Sequence, residues 1–174
     1  MNWSRPLCPD AWAPAITALE PETLVRQGFR GLIVDLDNTL TGWNKDFAAP
    51  AVEGWLRRAR TLGLGVCILS NNGAARVRAF AAPAGLPSVA HAGKPRRAGY
   101  RRALALLGTS AEETAVIGDQ LWTDVLGARR MNMYAILVQP VAPREFFGTR
   151  SLRWIERAWV ARLKRRGLGL PFGA

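Results

Sequence analysis

Two cysteines in 174 residues are too few for a disulfide framework or a structural zinc site. Cys67 also lies in an apolar run, where a thiol behaves as a small hydrophobe, and this usage suits a reducing compartment. Acids are scarce: 13 Asp plus Glu stand against 24 Lys plus Arg, a net charge of +11. Such an excess predicts attraction to anions, whether nucleic acid, an acidic membrane surface or phosphorylated substrates, without choosing among them. No apolar run approaches the roughly 18–20 residues of a membrane span, and Asp10 arrives too early for a signal-peptide core. The expectation is a soluble, cytoplasmic protein. Internal repeats and low-complexity tracts are absent as well. What is present, 49% hydrophobic and 21% charged residues, is the composition of an ordinary globular chain of about one domain.

Three short apolar runs end in polar residues: Gly31-Leu-Ile-Val-Asp35, Gly65-Val-Cys-Ile-Leu-Ser70 and Ala115-Val-Ile-Gly-Asp119. Each reads as a parallel strand buried on both faces, as does Tyr134 to Val138, with a poorer strand over Ser88 to His91. Helical spacing links them. Val52, Trp55, Leu56, Ala59 and Leu62 precede a stop at Gly63; a second helix covers Ala74 to Ala81; a third runs from Pro95, placed in its first turn, to Gly108. Ser110 and Glu113 have capping-box spacing, and a further helix is expected from Asp124 to Met131. This alternation predicts an α/β fold, a doubly wound, Rossmann-like parallel sheet that binds its ligand at the carboxyl ends of the strands. Around a core over residues 31–149, the first 30 residues read as an irregular arm with one or two short helices. Residues 150–174 read as a basic amphipathic tail, loose from Gly167.

The placement of the few acids carries the chemistry. Asp35 and Asp37 end the first strand, Asp119 ends another, and Asp124 opens the helix after it, so four of thirteen acids gather at one sheet edge. Any one of them alone reads equally as a helix cap or a turn residue. Together they repel, by roughly 4 kcal/mol for two carboxylates about 4 Å apart at an effective dielectric near 20. That crowding calls for a hard divalent cation, and an oxygen-rich site suits Mg²⁺. Extended backbone would set Asp35 and Asp37 on one side, one to attack phosphorus and the other to handle a proton. Thr39 is then placed to orient Asp37. Ser70 and the Asn71 backbone are placed to hold phosphoryl oxygens, and Lys94 supplies positive charge. With an acid and a base already present, His91 is read as structural.

The ordered set Asp35-Leu-Asp-Asn-Thr39, Ser70, Lys94 and Gly118-Asp119 through Asp124 resembles the four motifs of the haloacid dehalogenase superfamily of phosphohydrolases. Gly31 to Leu40 followed by Trp43, Leu69-Ser-Asn-Asn72, Gly93-Lys-Pro95 and Ile117 to Val125 resemble its small YqeG-like, IIIA-type branch, which includes phosphatidylglycerophosphate phosphatases. The likeness covers roughly residues 8–140. It implies that Asp35 is the nucleophile of an aspartyl-phosphate and that Asp37 protonates the leaving alkoxide and then activates water. It also implies that Asp119, with the Asp35 carboxylate and the Asp37 carbonyl, holds Mg²⁺, and that Asp124 supports that shell or Lys94.

The gaps from Thr39 to Ser70 and from Ser70 to Lys94 each hold about one helix, which leaves no room for the cap domain common in this superfamily. An open site favours phosphate presented on something large. Between Arg150 and Arg166, seven basic residues accompany Leu152, Ile155, Trp159 and Leu163 at spacings of three or four. That pattern suits an anionic bilayer, or equally a terminal helix packed on the sheet with Trp154 off its stripe. Trp43 and Trp122 are read as rim or core residues. The expected activity is Mg²⁺-dependent phosphomonoester hydrolysis, with phosphatidylglycerophosphate at an anionic membrane surface as the foremost substrate. The alternatives are phosphorylated nucleic-acid ends, phosphoproteins, or a ribosome- or RNA-associated binding role.

Overall fold

A computed structural model describes residues 7–42, 45, 47–141 and 170–172. Seven strands build its sheet: β1 (Ala11–Ala13), β2 (Gly31–Val34), β3 (Gly65–Leu69), β4 (Ser88–Val89), β5 (Thr114–Gly118), β6 (Tyr134–Val138) and β7 (Leu170–Pro171). They pair in parallel throughout, in the order β4-β3-β2-β5-β6-β1-β7. β2 and β5 are buried along their whole length, as strands covered on both faces must be.

The two faces follow from alternation along the strands. Leu32, Val34, Val66, Ile68, Ala115 and Ile117 point to one side, where α1 (Pro21–Arg26), α2 (Pro50–Thr61) and α3 (Ala74–Ala81) pack. Ile33, Cys67, Leu69 and Val116 point to the other, against α4 (Arg97–Leu107) and α5 (Leu126–Arg130). α2 begins with Pro50, carries Glu53 in its first turn and has Arg58 and Arg60 in its last, an order that suits both the missing proline N–H and the helix dipole. Gly108 ends α4 in the left-handed conformation (φ 66°), as the sequence predicts. The capping box also forms, with Ser110 and Glu113 exchanging backbone-to-side-chain hydrogen bonds.

Three local expectations are corrected. Residues 11–13 are not irregular, because β1 joins the sheet beside β6. Asp10 holds it there: its Oδ2 accepts the Ala135 N–H at 2.8 Å, and its Oδ1 pairs with Arg129 at 2.8 Å. The end beyond Gly167 is not loose at 170–172, since β7 pairs with β1 and the Phe172 N–H donates to the Trp12 carbonyl at 3.0 Å. Pro95 stands before α4 rather than in it, with a cis Lys94–Pro95 bond. The basic segment 150–166, including Trp154 and Trp159, lies outside the described residues, as does Trp43.

Among the described residues no second, cap-like domain interrupts the sheet; α2 and α3 are the helices between β2 and β4. From β2 the chain winds outward through β3 and β4, then returns to set β5 on the other side of β2. The crevice between the carboxyl ends of β2 and β5 is therefore the switch point at which such sheets bind ligands.

Candidate active site

Asp35 leaves the end of β2 and its N–H still donates to the Ile117 carbonyl of β5 at 2.9 Å, so its carboxylate is fixed in the crevice. Lys94 Nζ contacts Asp35 Oδ1 and also donates to Asp124 Oδ1 at 2.7 Å. All three side chains are less than a tenth exposed. Their separation along the chain, 59 and 30 residues from Lys94, shows that the crossovers build this cluster.

Burial dominates the electrostatics. Desolvation pushes the Asp35 carboxyl up to about 7; the Lys94 ammonium opposes that rise, and the charges of Asp124 and Asp37 add to it. For Lys94, burial disfavours the ammonium, but the carboxylates of Asp124 and Asp35 outweigh it and raise the pKa above the ordinary lysine value. The ammonium is thus locked on at any physiological pH. Behind it Tyr100 is fully buried and donates to the Thr123 carbonyl at 2.8 Å; burial and then the Asp124 charge push its hydroxyl up as well, so it serves as a neutral donor.

Asp119 and Asp124 reach the cluster by a tight local path. The chain leaves β5 through Gly118 and makes a π-helical turn over Leu121–Val125, a form frequent at functional sites. Asp124 folds back on Gly118 so closely that a Cβ there would lie 2.3 Å from its Cγ, and its Oδ2 accepts the Gln120 N–H at 3.2 Å. Ligand oxygens of Asp35, Asp119 and Asp124 all lie within 4.8 Å of one another. Three carboxylates against one ammonium leave a surplus of negative charge. Asp119 Oδ1 is shut from solvent and accepts no hydrogen bond, which is costly for a carboxylate oxygen unless a cation covers it. This all-oxygen, anionic donor set fits Mg²⁺.

The Asp37 carboxylate is held by partners of its own. Asn38 adopts a left-handed backbone (φ 64°), which asparagine tolerates better than most residues, and this turns the chain after Asp37. The Asp37 Oδ2 accepts Asn72 Nδ2 at 2.7 Å and its Oδ1 pairs with Arg76 Nη2 at 3.2 Å. Thr39, expected to orient Asp37, is buried with no hydrogen bond on its Oγ1; Asn72 and Arg76 orient it instead. Neither stands out in the sequence as a site residue. The available signal was Arg76 itself, a cation in the first turn of a helix with no acid there, where the dipole disfavours it.

Ser70 ends β3 nearly fully buried, its N–H donating to Val89 and its Oγ accepting the Asn72 N–H at 3.1 Å. Asn71 clamps the lysine loop with its side chain, accepting the Lys94 N–H at 2.7 Å and donating to the Lys94 carbonyl at 3.2 Å. His91 lies outside the acidic cluster; its N–H donates to the Asn72 carbonyl.

A family model for HAD-hydrolase-like proteins matches residues 91–140. The probable phosphatase YqeG of Bacillus subtilis (strain 168) is 40% identical over 159 residues, which are 91% of this chain and 92% of that protein. The chloroplastic phosphatidylglycerophosphate phosphatase 1 of Chlamydomonas reinhardtii is 30% identical over 94% of this chain, which spans only 64% of that longer protein. Among solved structures, a protein of Listeria monocytogenes serotype 4b shares the fold with a TM-score of 0.55 and 18% identity, over 68% of this chain and 85% of that one. Fold, carboxylate cluster and relatives together define a Mg²⁺-dependent phosphomonoesterase of the haloacid dehalogenase type, with no separate cap among the described residues. Within that superfamily the chain belongs to the YqeG-like family.

Proposed function

We propose that the protein removes the terminal phosphate of phosphatidylglycerophosphate at an anionic membrane surface, with Asp35 as nucleophile. The observation that carries the reaction is the buried Lys94 held between Asp35 and Asp124 at the switch point. An Asp35 oxygen attacks phosphorus, the bond to the leaving oxygen breaks, and Asp37 gives that oxygen its proton. Asp37 then takes a proton from water as the water attacks the aspartyl-phosphate, releasing phosphate and restoring Asp35. Ser70 and the Asn71 backbone hold phosphoryl oxygens, with the Lys94 ammonium spreading its charge over both partners and substrate. Thr39 is buried in the loop that carries both acids. Asp35, Asp119 and the Asp37 carbonyl would hold Mg²⁺, with Asp124 fixing Lys94; the ion supplies charge stabilisation to phosphoryl oxygens when bound.

The choice of lipid rests on three supports. The Chlamydomonas relative bears that activity in its name. Exposed Phe47, Trp122 and Val141 lie on segments beyond β2, β5 and β6, at the same edge as the site; the Val141 N–H donates to the Asn38 carbonyl at 2.9 Å. The sequence of residues 150–166 adds positive charge with apolar spacing suited to an acidic bilayer. No helix among the described residues is long and apolar enough to cross a membrane, so contact would be peripheral. Phosphate release from phosphatidylglycerophosphate in vesicles is compared with release from nucleotides, 5′-phosphorylated oligonucleotides and phosphopeptides. The lipid is expected to be preferred by at least about tenfold in kcat/KM, a difference of about 1.4 kcal/mol in transition-state stabilisation. Preference for oligonucleotide ends would move the basic surface to a nucleic-acid role.

A further inference from the structure

The charges of the chain are not spread evenly. Residues 54–111 hold ten of the 24 Lys and Arg and none of the 13 acids, whereas the remaining residues hold 14 and 13. This acid-free third runs from within α2 through β3, α3 and β4 to the end of α4, and so forms the end of the sheet beyond β2. Outside it arginines meet acids, as Arg30 meets Glu113 at 3.6 Å and Arg129 meets Asp10 at 2.8 Å. Within it, Arg96, Arg97 and Arg101 are exposed and have no acidic partner among the described residues.

Their placement ties them to the site. Lys94 reaches Asp35 and Asp124 from the loop that follows β4, and Arg96 and Arg97 come two and three positions later, where α4 begins. Two further arginines close on the same loop: Arg102 Nη2 donates to the His91 carbonyl and Arg130 Nη1, from α5, to the Pro95 carbonyl, each at 3.4 Å. Arg96, Arg97, Arg102 and Arg130 thus cluster at loop 91–96, on the sheet edge that holds the site. Like charges one turn apart, such as Arg97 and Arg101, repel, and arginine at a helix start opposes the dipole. α4 bears both costs with no acid in its first turn. Local rules broken without compensation inside the chain mark functional places, and the compensation here is an anion outside it.

The other flank of the crevice points to the kind of anion. Val141, beyond β6, is 55% exposed and its N–H donates to the Asn38 carbonyl; Phe47, beyond β2, is 70% exposed and its carbonyl accepts the Thr41 hydroxyl at 2.8 Å. β6 and β4 lie on opposite sides of the β2–β5 crevice, so arginines stand on one side of it and an exposed valine on the other. A nucleic-acid backbone offers nothing to valine, whereas an acidic bilayer offers phosphates to guanidinium forks and hydrocarbon to apolar tips. Resting on the lipid reading above, we propose that the arginine-rich β3–β4 end of the catalytic core is itself a docking surface for acidic phospholipid, acting independently of residues 150–166.

The test uses the full chain and vesicles of phosphatidylcholine, alone or mixed with phosphatidylglycerol, free of any phosphomonoester lipid so that binding is scored without turnover. Arg96→Gln, Arg97→Gln and Arg101→Gln together remove three charges and leave Arg102 and Arg130 on their loop carbonyls. Binding of this triple variant to mixed vesicles in flotation should fall about 10- to 100-fold, the effect of three basic residues near an acidic surface after screening by salt. The corresponding triple Lys variant should keep most of the binding. A variant with Arg153, Arg157, Arg162, Lys164 and Arg165 all changed to Gln should still prefer mixed to neutral vesicles. Equal binding by the triple Gln variant and the wild type, or equal losses in the Gln and Lys variants, would overturn the proposal. So would loss of the preference for mixed vesicles in the five-residue variant, or a triple Gln variant that loses affinity for single-stranded RNA while keeping its vesicle binding. Docking as expected, with no phosphate released from phosphatidylglycerophosphate, would overturn the substrate reading and leave the docking surface in place.

Discussion

Asp35 has two demands on one carboxyl group: it must be shielded from water and still carry charge. In metal-free protein its pKa is about 7 against an ordinary 3.8, so between those values the folded chain holds a proton that the unfolded chain has released. Stability then falls as pH rises through that window, because the folded state binds more protons there. Asp35→Asn removes this dependence. In chelator, the melting temperature of Asp35→Asn relative to the wild type should climb between about pH 4 and pH 7, and a flat or falling difference would reject the burial argument. With Mg²⁺ present the same variant should lose several orders of magnitude in turnover while remaining folded, as loss of a nucleophile requires. Lys94 is the complementary case. Lys94→Met leaves Asp35 and Asp124 buried without their shared cation, and urea unfolding should show a loss of about 3–5 kcal/mol, typical of a broken buried pair.

At the scale of elements, the turn from β5 into α5 is the least tolerant. A methyl group at Gly118 would overlap the Asp124 carboxylate at 2.3–2.6 Å, so Gly118→Ala must push Asp124 off Lys94. The expected cost is about 1–3 kcal/mol in thermal unfolding, with turnover falling further than stability alone explains. The same element shows what a sequence can reveal. The buried strands β2, β3, β5 and β6 and helix α3 are legible because continuous apolar runs and helical spacing reflect burial that depends on neighbouring residues. β1 is not: three residues, Ala11–Ala13, are too short for any period, and their strand geometry comes from Asp10 binding Ala135 and Arg129, over a hundred positions away. The motif acids and Lys94 were readable as a set. Asn72 and Arg76 were not, since they meet Asp37 only across 35 and 39 residues of chain. Thr39 does not reach Asp37 with a hydrogen bond: the left-handed Asn38 between them turns the chain, and the buried Thr39 Oγ1 makes none.

For the whole molecule, the net charge of +11 bears on where the site is delivered. If Arg153, Arg157, Arg162, Lys164 and Arg165 bring the protein to acidic lipid, then co-flotation with vesicles should weaken as salt rises, because charges are screened over about 10 Å at 0.1 M. Neutralising those five residues should lower lipid-phosphate turnover relative to turnover of a soluble aryl phosphate. Equal loss of both would show instead that the segment supports the fold. The sheet carries a different kind of consequence at its margins. Among the described residues its outermost strands, β4 and β7, are two residues long, and Pro171 in β7 has no N–H to offer. Exposed strand edges are templates on which another chain can add itself, and short or proline-bearing edges blunt that. A wide parallel sheet built around a costly buried ion cluster is thereby given borders that discourage aggregation.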